Sequence, residues 1–127
     1  MQNLGLIINL QKEKAIKTAA DLIPWLAAKN INVYLPANSY HLFFNDKSLN
    51  LLTDENIHHL KCILVLGGDG TLLNAARNFA HNSIPILGVN LGQLGFLTAL
   101  EIPDLYQGLE MLLEGKYIIE ERMMLEV

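Results

Sequence analysis

Two rhythms of apolar and polar positions alternate along the chain. Leu4 to Asn9 (LGLIIN), Ile31 to Leu35, Cys62 to Leu66 and Ile84 to Val89 (IPILGV) are short, nearly continuous apolar runs. Such runs predict strands of a parallel sheet covered on both faces. Between them, apolar residues recur at helical spacing. Ala15, Ile16, Ala19, Leu22, Ile23, Leu26 and Ala27 form one stripe, and Leu72, Leu73, Ala75, Ala76, Phe79 and Ala80 form a second. Leu105, Leu109 and Leu112 or Leu113 form a third, after Pro103, with Gly115 as its expected C-terminal cap. Pro24 lies inside the first stripe and predicts a kink or an early break.

Ala37 to Asn56 carries little pattern. Phe43 and Phe44 are expected to tuck onto the core, Asp46 to Asn50 to form a turn, and Thr53 to cap a short helix over Asp54 to Leu60. Tyr117 to Val127 is strand-like, with Ile119, Met123, Leu125 and Val127 on one face. The resulting order, β-α-β-(α)-β-α-β-α-β, predicts an α/β fold: a doubly wound, mostly parallel sheet with helices on both faces. The first two strands should pair in parallel through a right-handed crossover.

Composition narrows the class. A length of 127 residues fits one domain, with residues 1–115 as core and 116–127 as a strand leading onward. That last strand has no terminal turn, so the expectation is a piece cut at a domain boundary, favoured over a naturally short form or an edge that another chain pairs with. No apolar stretch approaches the ~20 residues of a membrane span, and Leu4 to Leu10 lacks the basic flank of a secretory signal. A cytoplasmic location is expected. The net charge of −4 argues against a nucleic-acid surface, though not against a nucleotide. Cys62, the single cysteine, falls inside a predicted strand and reads as an inert core thiol.

The chemistry concentrates in Leu64 to Thr71, LVLGGDGT. An apolar strand stops at Gly67 and Gly68, and a helix must start near Gly70 or Thr71 and run to about His81. A strand, a Gly-rich turn and a helix N-terminus together suit phosphate, because the first helical amides are unpaired and the dipole is positive there. Asp69 does not fit a pure phosphate cradle. It could cap the helix, hold a magnesium ion indirectly, or act as general base toward an attacking hydroxyl.

Asn9, the GGDGT turn and Asn90 all fall at carboxyl ends of strands, where doubly wound sheets bind ligands. Lys12 and Lys14 face the same crevice if the sheet forms as predicted. Arg77, two turns into the following helix, is a phosphate candidate or a solvated surface residue. Phe96, beside Gly95 in the second Gly-rich loop LGQLGFLT, could stack on a nucleobase or fill the core. His58 and His59 should point apart on a helix and have no partners at metal-ligand spacing. No Ser-His-Asp array is visible, no G-x-G-x-x-G follows the first strand, and no G-K-[ST] follows any Gly-rich turn.

GGDGT at Gly67 to Thr71, LLNAAR at Leu72 to Arg77 and IPILGVNLGQLGFLT at Ile84 to Thr98 resemble the N-terminal domain of the NAD kinase family. GGDGT alone is shared with diacylglycerol and sphingosine kinases. The N-x-G-x-L-G-F segment is what is similar to NAD kinases, since those lipid kinases would carry G-T-x-N-D there.

The resemblance implies transfer of a phosphoryl group from ATP or polyphosphate to the 2′-hydroxyl of the adenosine ribose of NAD, assisted by a divalent cation such as magnesium. It implies Asp69 as the catalytic aspartate, and Gly67, Gly68 and Gly70 as the glycines that admit phosphate. Thr71, Asn90, Gly95, Asn9 and Arg77 would complete the binding site, with Phe96 near the adenine. No dedicated metal ligand is expected. Ala99 stands where many members have an acidic residue, so that contact is not carried over. The family also implies a β-rich second domain, absent from this chain, and a homo-oligomer. The segment alone should be weakly active at best. The rival readings are a lipid kinase domain and a non-catalytic nucleotide-binding or assembly domain.

Overall fold

The structure, a computed structural model, describes residues 2–43, 46, 48–79, 84–90, 100–101 and 105–113. Its strands are β1 (Gln2–Ile8), β2 (Ile31–Leu35), β3 (Leu49–Leu51), β4 (Cys62–Gly67), β5 (Ile86–Asn90) and β6 (Leu100–Glu101). The helices are α1 (Glu13–Ala28), α2 (Ala37–Leu42), α3 (Asp69–Phe79) and α4 (Leu105–Leu113). All strand pairs are parallel, in the order β3-β2-β1-β4-β5-β6. The chain winds outward from β1 through β2 to β3, then returns to the other side of β1 and winds the opposite way. The switch point therefore lies between β1 and β4.

β4 shows why its sequence is apolar without alternation. Cys62, Leu64 and Leu66 face one core, shared with Ala19, Leu22 and Leu26 of α1 and with Leu105 and Leu109 of α4. Ile63 and Val65 face the other, beneath Leu72, Ala75 and Ala76 of α3. Every β4 residue is buried. Each such aliphatic side chain contributes roughly 1.5–3 kcal/mol on burial, so the strand that carries the Gly-rich turn is among the most firmly held. Helix α4 is fastened to α1 by an edge-on contact of Trp25 with Tyr106 at 5.1 Å and an ion pair of Lys29 with Glu110 at 2.8 Å.

Several expectations change. Helix α1 runs through Pro24 to Ala28 without a break. Both Pro24 and Ala20, whose carbonyl loses its helical partner, are on the solvent face. The turn expected over Asp46 to Asn50 ends at Ser48, whose amide donates to Asp46 Oδ1, and Leu49–Leu51 adds an edge strand beside β2. The helix expected after Thr53 is a single 3-10 turn, Ile57–His59, although Thr53 Oγ1 does accept from the Asn56 amide. Within that turn the His58 and His59 rings lie 4.4 Å apart instead of diverging. The fourth apolar run enters the sheet at Ile86, after Pro85, whose carbonyl accepts from the Ile63 amide. Phe43 packs on the core as expected. Phe44, Ala80, His81, Pro103, Gly115 and the 117–127 segment lie outside the described residues.

Candidate functional site

Two connections meet at the switch point. β1 and β4 are neighbours, with Ile8 opposite Leu66, so their carboxyl ends are level. The Asn9 amide extends that pairing by donating to the Leu66 carbonyl at 2.8 Å.

From β4 the chain passes into α3 through Gly68 alone. The Leu72 amide donates to the Gly68 carbonyl at 3.1 Å, the first bond of the helix, which puts Gly68 at the N-cap position and Asp69 at the first helical residue. This corrects the expected start at Gly70 or Thr71, and it removes Asp69 from the capping position. An acidic residue in the first turn is still favoured by the helix dipole. The amides of residues 68–71 precede Leu72, the first amide that donates within the helix, so they cluster at the turn with partial positive charge.

The three glycines serve different purposes. At Gly67 a β-carbon would lie 2.6 Å from Thr71 Oγ1 and 2.8 Å from Thr71 Cβ, so Gly67 lets the first turn of α3 lie directly on the end of β4. At Gly68 a β-carbon would lie 3.3 Å from Lys12 Nζ. At Gly70 it would meet nothing within 4 Å. None of the three has a left-handed φ, so close approach, not backbone conformation, distinguishes them.

The first connection, residues 9–12, contains no glycine. Asn9 closes it by accepting from the Gln11 amide through Oδ1 at 3.0 Å and from the Lys12 amide through its carbonyl at 3.1 Å. The Lys12 carbonyl in turn accepts from Ala15 and Ile16, so Lys12 caps α1 with its backbone fixed on both sides. Its side chain crosses to Gly68. Lys14, exposed in the first turn of α1, is not brought there.

Of the candidate residues, the fold thus gathers Asn9, Lys12, Gly67, Gly68, Asp69, Gly70 and Thr71. Asn90 ends β5 opposite Gly67, which brings its backbone alongside the same turn. Arg77 is exposed eight residues along α3, about 12 Å up the axis at 1.5 Å per residue, and is not brought to the turn. Gly95 and Phe96 lie outside the described residues. Among the described residues no three His, Cys, Asp or Glu side chains form a metal-binding group, and no helix is long and apolar enough to cross a membrane. Burial pushes the Cys62 thiol up to about 12, which keeps it protonated and inert.

Three comparisons bear on this geometry. A family model described as the ATP-NAD kinase N-terminal domain matches residues 4–117. Among curated proteins, the NAD kinase of Desulforamulus reducens is 44% identical over 99% of this chain and 43% of its own length. That of Heliobacterium modesticaldum is 42% identical over 99% of this chain and 44% of its own. The chain thus spans less than half the length of these relatives. Among solved structures, yeast NADH kinase complexed with NADH superposes with a TM-score of 0.70 over 91% of this chain and 39% of that one. At 18% identity that likeness speaks for the fold.

Proposed function

This chain belongs to the NAD kinase family, and on that premise we propose that it supplies the phosphoryl-transfer turn of an enzyme that phosphorylates the 2′-hydroxyl of the adenosine ribose of NAD to give NADP. The observation that carries the reading is the place of Asp69. It stands at the first residue of α3, among the amides of the helix start, at the switch point of the sheet. A carboxylate there can orient the 2′-hydroxyl and accept its proton while the amides face phosphate oxygens.

In the proposed reaction the 2′-oxygen attacks the γ-phosphorus of ATP. The bond from that phosphorus to the bridging oxygen breaks and ADP leaves, or a shortened chain when polyphosphate is the donor. The proton of the hydroxyl goes to Asp69. Gly67, Gly68, Gly70 and Thr71 form the turn against which the phosphoryl group passes. Asn9 braces it from β1, and Asn90, Gly95 and Phe96 are assigned to the NAD side. Arg77 is left out of this assignment because of its distance.

The described residues offer a single carboxylate at the turn, which is not enough for a resident cation. Magnesium is therefore assigned to the donor, as the metal complex of ATP, and enters as part of the substrate. A cytoplasmic enzyme, a homo-oligomer and a requirement for the remaining length of the relatives belong to the same proposal. The relatives named above support NAD as acceptor, and nothing in them supports a lipid.

The test uses the full-length protein with NAD, ATP and magnesium, coupling product to an NADP-specific dehydrogenase. NADP should form, and Asp69→Asn should lower kcat about 10²- to 10⁴-fold, the usual contribution of a general base. Undiminished turnover by Asp69→Asn would remove Asp69 from the role.

A further inference from the structure

We propose that Lys12 is a binding residue for the phosphoryl donor, with its ammonium set over the turn to take the oxygens of the phosphoryl group in transfer, and that Gly68 is glycine to leave room for it. The proposal rests on the reading of Asp69 given above. Lys12 reaches the turn from the other connection, and its Nζ lies 3.3 Å from the point a β-carbon at Gly68 would occupy. Its placement is built into the backbone. The Lys12 amide donates to Asn9, its carbonyl accepts from Ala15 and Ile16, and Asn9 is tied to Leu66 of β4. The lysine stem is thereby referenced to the strand that carries the turn.

The chemistry favours the donor over NAD. If Asp69 holds the 2′-oxygen, the phosphorus it attacks must sit within bonding distance of that oxygen, over the same turn and against Gly68. The pyrophosphate of NAD hangs from the opposite, 5′ side of the ribose. A phosphoryl group approaching Gly68 therefore meets two sources of positive charge: the amides at the start of α3, and a mobile point charge of the kind lysine supplies to phosphate. A lysine present only to offset the charge of Asp69 would serve both substrates alike. One that binds the donor would not.

Kinetics of the full-length protein separate these cases. Lys12→Met should lower kcat/KM for ATP about 10- to 100-fold, the range of one hydrogen bond to a charged group, and change KM for NAD less than about twofold. Lys12→Arg, which keeps the charge, should restore most of the loss. Gly68→Ala should lower kcat/KM for ATP more in the native background than in Lys12→Met, where the ammonium that the new methyl crowds is already gone. Thermal melts of each variant show whether the fold is intact.

Unchanged donor kinetics in Lys12→Met would overturn the proposal. So would an equal loss for both substrates, or a Gly68→Ala effect of the same size in both backgrounds. Should the native protein form no NADP, the reading of its function fails by itself. Titration with magnesium tripolyphosphate then tests Lys12: weaker binding by Lys12→Met supports the assignment, and equal binding overturns it.

Discussion

The two connections at the switch point join neighbouring parallel strands to helices, yet they are built on opposite plans. The β4–α3 connection is one residue long, Gly68, and the helix that follows opens on an aspartate. The β1–α1 connection is four residues long, has no glycine and ends in a lysine. The difference follows from length. When a helix starts one residue after its strand, its first turn must lie on the strand end, and Thr71 does lie where a Gly67 side chain would be. Four residues give room for Asn9 to turn the chain with its own side chain, without help from glycine. The short connection thus exposes backbone amides, and the long one delivers a charge.

Three substitutions probe that contrast. Gly67→Ala should be the most damaging, since the new methyl would meet a helix backbone-anchored Cβ at 2.8 Å that cannot swing away. The expected loss is about 1–3 kcal/mol, as for overpacking in general, read from denaturant melts. If α3 shifts to make room, activity should fall as well, on the order of 10²-fold for a displacement near 1 Å. Asn9→Ala removes the Oδ1 bond to the Gln11 amide at the solvent edge and should cost about 0.5–1.5 kcal/mol, the worth of one such bond. A cost above that range would mean that the long connection is as tightly determined as the short one. Gly70→Ala should be the mildest. It adds a methyl to open space within a helix, so a gain of about 0.5–1 kcal/mol is expected. Loss of activity without loss of stability in Gly70→Ala would show that the open space at Gly70 is needed by substrate.

Much of this arrangement was legible in the sequence. Four of the six described strands announce themselves as apolar runs because a parallel strand covered on both faces has no polar side to show. The other two did not. Leu49–Leu51 and Leu100–Glu101 are too short to set a rhythm, and Asn50 interrupts the first of them. The Gly-rich turn and its aspartate were plain from composition and order alone. What sequence could not separate was the reason for each glycine, because Gly67 answers to Thr71 within its own turn and Gly68 answers to a lysine from another part of the chain. Lys12 was a candidate only on condition that the sheet formed as predicted. Its reach to Gly68 follows from the register of β1 against β4, which local pattern does not encode. Arg77 shows the opposite error: close to the motif in sequence, it is carried away from it by the rise of the helix.

The strand order also has a consequence for how the site comes into being. The chain from Lys12 to Gly68 runs through α1, β2, α2 and β3 before it reaches β4, and β2 and β3 lie on the opposite side of β1 from β4. As the polypeptide emerges during synthesis, β1, α1 and β2 can pair first, and the Asn9 amide then has no Leu66 carbonyl to meet. Only the insertion of β4 beside β1 brings acceptor, turn and lysine together. The proposed phosphate site is thus a late product of docking between the two halves of the sheet, and neither half contains it in advance.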